Sequence, residues 1–199
     1  MAWGQPIDGE TPLDDRDGLL DRSITTRGEL YVVEAENVRL AVVKYLAAKP
    51  SRRSAKFDFG WFLALHREMF GNVWSWAGSI RDKELNLGVP VACIAESLAG
   101  LVANLKTWEE NWPDTLEQAV HLHHQAVRIH PFRNGNGRWS RMLANVWLKM
   151  HDSPFPEWPV EIGVETSSIR KEYLDCVQKA DDGEFGPLYQ LHKRHLPQL

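Results

Sequence analysis

From Thr26 to Leu196 the apolar residues recur at three- and four-residue steps, and most of these runs stop at a proline or a glycine. That period puts one stripe of side chains on one face of a helix, and such stripes are buried by packing helix on helix. Leu30, Val33, Asn37, Leu40, Val43 and Leu46 predict a first helix, with Thr25 or Thr26 as its cap and Pro50 as its stop. Trp61, Phe62, Leu65 and Met69 predict a second over 57–70, closed by Gly71. Ile94, Leu98, Leu101, Leu105 and Trp108 predict a third, broken at Pro113 and Asp114, with Thr115 as the next cap. A fourth, carrying Leu116, Val120, His123, His124 and Val127, delivers His130. A fifth runs over 137–151, and after a loop with Pro154, Pro156 and Pro159 two more cover 165–180 and 187–196.

Two stretches depart from this rhythm. Residues 73–81 read as a compact aromatic turn. In 82–91, Leu85, Leu87 and Val89 alternate with Asn86, Gly88 and Pro90, the pattern of a short β-hairpin or extended flap. The expected fold is all-α with one small β-hairpin flap: an extended arm over 1–25, rich in Gly, Pro and Asp and anchored by Ile7, Leu13 and Leu19, then one domain over 26–199.

Chemistry concentrates in the twelve residues from His130 to Arg141, which include Asn134, Gly135, Asn136, Gly137 and Arg138. Glycines let a backbone approach a phosphate closely. A helix start offers unpaired N–H groups and the positive end of the helix dipole. Arginines neutralise anionic oxygens with directed hydrogen bonds, and a histidine can take up a proton near neutral pH. The inventory suits a polyphosphate held beside a base. A lone His-Pro-Phe is more often a helix stop with a satisfied ring; it is the sequel Asn-Gly-Asn-Gly-Arg that turns the reading.

The segment resembles the signature of the Fic family, His-x-Phe-x-(Asp/Glu)-Gly-Asn-Gly-Arg-x-x-Arg, and meets every defined position but one. The resemblance extends over about 57–195, and the run Ile24 to Leu30 together with Asn134 is similar to the small subgroup called mobile mystery protein B. It implies a Fic-type helical domain that transfers the AMP part of ATP to a Tyr, Thr or Ser hydroxyl of a target protein. His130 would be the general base and Phe132 a core anchor. Gly135, Asn136 and Gly137 would cradle phosphates, and Arg138 and Arg141 would hold the outer ones. The flap residues Lys83, Glu84, Leu85, Asn86, Leu87 and Gly88 would clamp the target by main-chain pairing. Glycine rather than lysine at 137 favours nucleotidyl transfer over the phosphotransfer of Doc-type relatives. The subgroup further implies a helix-turn-helix companion, mobile mystery protein A.

Asn134 is the departure: the family has a carboxylate there that binds Mg²⁺, and an amide oxygen brings no charge. The expectation is retained activity with a weakly held Mg²⁺; the alternatives are a different nucleotide or a catalytically silent nucleotide-binding protein. No full match to the family's inhibitory sequence Ser/Thr-x-x-x-Glu-Gly/Asn occurs, which leaves Glu29 and Glu36 as candidates to reach Arg141, against the plainer role of Glu29 as a helix-start charge. His121, His123 and His124 invite a zinc reading, but with no Cys near them core roles are favoured. A net charge of -4 gives no basic excess for nucleic acid. No apolar run is long enough for a membrane span, the start lacks a signal-peptide pattern, and Cys93 and Cys176 are expected as free, buried thiols in the cytoplasm.

Overall fold

The computed structural model describes residues 16–159, 162 and 167–198. Among them the chain forms seven α-helices: α1 (Arg27–Leu46), α2 (Phe59–Phe70), α3 (Ile94–Asn111), α4 (Thr115–Ile129), α5 (Asn136–Met150), α6 (Ser168–Asp181) and α7 (Gly186–Arg194). The predicted helices are all present within a few residues of their expected limits. Most of the N-terminal arm, with Ile7 and Leu13, lies outside the described residues, as does the predicted start of α6 at Glu165.

Local chemistry explains the ends. Thr26 caps α1 in a reciprocal box with Glu29, and Asp58 caps α2 by accepting from Trp61 N–H. Asp114, not Thr115, caps α4, its carboxylate accepting from Leu116 and Glu117 N–H. A carboxylate at this position also gains from the helix dipole.

Burial is shared between two clusters. The larger joins α1 to α5 and includes Phe62, Leu65, Trp74, Leu98, Trp139 and Trp147; the smaller joins α6 and α7 to Val120 of α4. Each fully buried side chain of this size contributes roughly 2–3 kcal/mol. Helix α4 therefore packs against α3, α5, α6 and α7 at once, so its C-terminal end is held from both sides. The described part of the arm packs back on the aromatic turn, where Leu19 makes a single antiparallel bridge to Trp74.

Two expectations are corrected. The buried face of α1 is Leu30, Glu34, Asn37, Ala41 and Tyr45, whereas Val33, Leu40 and Val43 are exposed. The helix is apolar on more than one side, so the apolar pattern alone does not choose its inner face; the polar contacts of Glu34 do. The flap is not a hairpin. Residues 82–90 form bends without ladder pairing, ending in a short 3₁₀ turn at Val91–Cys93. The alternation fails because the loop is tied from inside. The buried Arg81 guanidinium donates to the carbonyls of Lys83, Val89 and His130, and Glu84 accepts from Val91 N–H. With those carbonyls occupied, no second strand is needed to satisfy them.

Candidate active site

The site is the turn between α4 and α5. His130 closes α4 in the left-handed region, at φ 52, and Pro131 prevents further helix. Phe132 is fully buried; its ring stacks on His66, with centroids 3.6 Å apart, and meets Trp139 edge-on at 5.0 Å. Gly135 then caps α5 at φ 78, with the Phe70 ring 2.7 Å from where a Cβ would stand. Only glycine meets both conditions. His66 adds a further tie: its Nε2–H donates to the Asn134 carbonyl at 3.0 Å while Nδ1 accepts from Gly78 N–H at 3.0 Å. Both nitrogens are used by a neutral ring, and burial pushes its pKa down to about 3.

His130 is oriented by its own helix. Its Nδ1 lies 3.3 Å from the Val127 carbonyl; an N–H donated there leaves the lone pair on Nε2. Burial lowers its pKa to about 4, opposed by the Val127 carbonyl and aided by the Arg81 charge. The imidazole is therefore neutral, and able to accept a proton, across the physiological range. Gly88 brings the flap against this ring: a Cβ at position 88 would stand 2.6 Å from the His130 Cβ, and its φ is 96.

Beyond the base the first turn of α5 opens into a cavity of about 930 Å³, lined by His130, Asn134, Gly137, Arg138 and Arg141 on one side and by α1 on the other. The first N–H groups of a helix have no carbonyl within it to bond. At Gly137, among the described residues and apart from the helix's own backbone, a Cβ would meet Arg141 Nη1 at 3.5 Å and nothing nearer, so the helix mouth is uncrowded. Arg141 is flanked by the rings of Tyr173, 5.3 Å from its guanidinium carbon, and Trp158, 5.9 Å away. Arg138 lies over Phe70 at 4.7 Å. The base, the helix start and the guanidinium groups of Arg138 and Arg141 thus face a common space, which Arg27 and Arg170 also line.

Asn136 lines the cavity as the first residue of α5, and its side chain staples the turn: Oδ1 accepts from Phe132 N–H and Nδ2 donates to the Phe132 carbonyl, both at 2.9 Å. Two sequence assignments change. The Asn134 Oδ1 accepts from Gly135 N–H at 2.6 Å. With that oxygen engaged and no carboxylate at 134, the turn's own residues do not fit a protein-held Mg²⁺ site. Neither inhibitory candidate reaches Arg141: Glu29 serves the α1 cap, and exposed Glu36 pairs with Arg39 at 2.7 Å.

The carboxylate that reaches a motif arginine in the cavity belongs instead to Glu34. It is buried, its Oε1 accepting from Trp74 Nε1 at 2.7 Å and its Oε2 pairing with Arg138 Nη1 at 2.6 Å. Its signal in the sequence was its place on the stripe Leu30-Glu34-Asn37-Ala41, since a carboxylate is rarely buried without a cationic partner. Neither Arg81, which ties the flap to the turn, nor His66 was read as a site residue from the sequence, although Arg81 ends the segment Trp-Ala-Gly-x-Ile-Arg.

The remaining histidines have structural partners. His123 bonds Tyr173 and His192, His124 bonds Asp181 at 2.9 Å, and His121 stacks on Phe185. Both cysteines are free thiols as expected; Cys176 is buried, but Cys93, in the 3₁₀ turn before α3, is exposed and corrects that expectation. No helix of the described residues is long and apolar enough to cross a membrane.

Residues 56–148 match the profile of the Fic/DOC family. Protein adenylyltransferase fic-1 of Caenorhabditis briggsae is 36% identical over 138 residues, 67% of this chain and 26% of that protein. Protein adenylyltransferase Fic of Aedes aegypti is 29% identical over 152 residues, 74% of this chain and 29% of that protein. The chain thus spans about a quarter of the length of the curated relatives it matches. Among solved structures, Fic-1 (residues 134–508) of C. elegans superposes with a TM-score of 0.69 at 25% identity, covering 90% of this chain and 52% of that one. BepC of Bartonella tribocorum, solved with bound AMPPNP, gives 0.65 at 20% identity, covering 98% and 97%. With the matched segment holding α2 to α5 and the turn between His130 and Arg141, this chain belongs to the Fic/DOC family.

Proposed function

We propose that the chain transfers AMP from ATP to a hydroxyl of a target protein. The observation that carries this reading is the shared cavity, where His130, the open N-terminus of α5, Arg138 and Arg141 converge. The target oxygen attacks the α-phosphorus and its proton goes to His130 Nε2. The bond from that phosphorus to the β-phosphate bridging oxygen breaks, and pyrophosphate leaves against the helix N–H groups and the two guanidinium ions. Fixing nucleophile, base and leaving group in line is most of what such a transfer requires. The neutral state of His130 and the glycine at 137 support this reading, as do relatives named adenylyltransferases.

The exposed residues Lys83, Glu84, Asn86, Leu87 and Gly88, with Leu85 half-buried, offer a target segment a docking edge beside the base. Magnesium would arrive with the triphosphate, held by phosphate oxygens, because the turn supplies no carboxylate. Asn134 also favours a second reading, a nucleotide-binding protein without transfer. The subgroup resemblance adds a helix-turn-helix companion as a proposed partner, which co-purification would reveal.

Labelled ATP with Mg²⁺ or Mn²⁺, followed by intact-mass measurement, separates these readings. A gain of one AMP per chain or target is expected. A phosphate-sized gain would move the attack to the outer phosphorus, and binding without any gain would leave the second reading.

A further inference from the structure

A row of buried polar rings runs away from the cavity and ends on Arg141. Tyr173 of α6 lies against that guanidinium, with its hydroxyl beside both Arg141 and Ser140. The same hydroxyl is 2.9 Å from His123 Nε2, and His123 Nδ1 is 2.7 Å from His192 Nε2. His123 and His192 are fully buried, and burial holds both rings neutral, with the His192 pKa pushed down to about 3. Four elements contribute: α4, α5, α6 and α7.

Each neutral ring has one N–H and one acceptor, which limits the polarity of the row. His192 Nδ1 is buried with no hydrogen-bond partner. If the His192 Nε2–H donates to His123 Nδ1, the His123 Nε2–H donates to the Tyr173 oxygen. The phenol proton is then turned away from His123, toward the side of Ser140 and Arg141; Ser140 Oγ itself donates to the Gly137 carbonyl at 3.0 Å. That arrangement leaves a bare lone pair at His192 Nδ1. The reverse would leave a buried N–H without an acceptor there, and would turn the phenol proton away from Ser140.

We propose that Tyr173, His123 and His192 are positioning residues: a buried brace that fixes the Tyr173 hydroxyl and, through it, the plane of the Arg141 guanidinium toward the outer phosphates of the nucleotide. The need for a brace is physical. Arg141 is half-buried at the cavity wall, and both Arg138 and Arg170 repel its charge. A guanidinium held by two ring faces could still slide across them. The hydroxyl supplies the directional contact that fixes its fork, and a fork must be aligned to make two parallel bonds to a phosphate. Packed outer partners of this kind hold a contacting group to within a fraction of an ångström.

The inference rests on the proposed nucleotide site, and its test separates the two. ATP and AMP are titrated by calorimetry into the Glu34→Gln chain, in which the carboxylate no longer competes for Arg138, and into the same chain carrying Tyr173→Phe or His192→Leu. Thermal melts check that each variant is folded. Tyr173→Phe keeps the ring and removes only the hydroxyl. It is expected to weaken ATP about tenfold, the scale of one charge-assisted hydrogen bond, and to leave AMP, which lacks outer phosphates, unchanged. His192→Leu should give the same selective loss at smaller size. Equal loss of ATP and AMP would mean that Tyr173 acts only through packing, and unchanged ATP affinity would mean that Arg141 needs no brace; either result overturns the inference alone. A Glu34→Gln chain that binds neither nucleotide overturns the site reading and the brace with it.

Discussion

At the scale of single residues the account turns on His130. Its pKa of about 4 comes first from burial, and the sign follows directly: before nucleotide binds, the ring stays deprotonated down to that value. The acid limb of kcat/KM, which reports the free enzyme's base, is therefore expected near pH 4 to 5 and not near the usual histidine value of about 6.5. A pH–rate profile that falls with a midpoint near 6.5 would show the ring to be more solvated than its place behind Gly88 implies. Most of this site could be read from the sequence, because a turn built of His-Pro-Phe and Asn-Gly-Asn-Gly-Arg has few conformations open to it. What could not be read was the direction of the amide side chains. Asn134 and Asn136 look like ligands in a motif, yet both spend their hydrogen bonds on the turn's own backbone. The competition between backbone and ligand for a short polar side chain is decided by geometry that spacing does not carry.

At the scale of elements, α1 and the flap control access. Helix α1 brings Glu34 onto Arg138, where a leaving pyrophosphate would bind. Glu34→Gln is expected to raise auto-modification about tenfold, since the paired guanidinium becomes available to phosphate; assays of labelled AMP incorporation check this, and an unchanged rate would show that α1 yields to the nucleotide without cost. The flap depends on Arg81. A lysine there keeps the charge but cannot serve three carbonyls from one planar group. Arg81→Lys is expected to cost about 2 kcal/mol of stability, from carbonyls left without a donor, and to speed amide exchange across 83–89; exchange at the wild-type rate would show the loop to be held by its own turns. Helix limits were readable from caps and stops, whereas the inner face of α1 and the form of the flap were not. In both places a buried charged side chain, Glu34 or Arg81, decides the conformation from a distance in sequence, by contacts 104 and 49 residues away.

At the scale of the whole molecule, the two clusters joined by α4 carry several histidines as neutral core residues. His66 and His192 are both pushed down to about 3, and His123 well below its usual value. The unfolded chain binds protons at these rings below about pH 6.5, while the native chain does not until far lower. Their contribution is intact above pH 6.5 and is lost as the pH falls from there toward 3. Urea melts at pH 7 and pH 5 are expected to differ by about 2 kcal/mol per buried ring, and a stability unchanged between those values would mean the rings gain acid-side partners. The fold class was readable at this scale because helical periodicity runs through nearly all of the chain; core roles for His121, His123 and His124 were readable too, but not the partners of these rings, which come from α6, α7 and the turn before α7. The central claim, that one turn joins a proton acceptor to a triphosphate site, is tested most directly by His130→Ala. The account predicts that this variant binds ATP as the wild type does while its AMP transfer falls by about 10²- to 10⁴-fold. Transfer at the wild-type rate would contradict it.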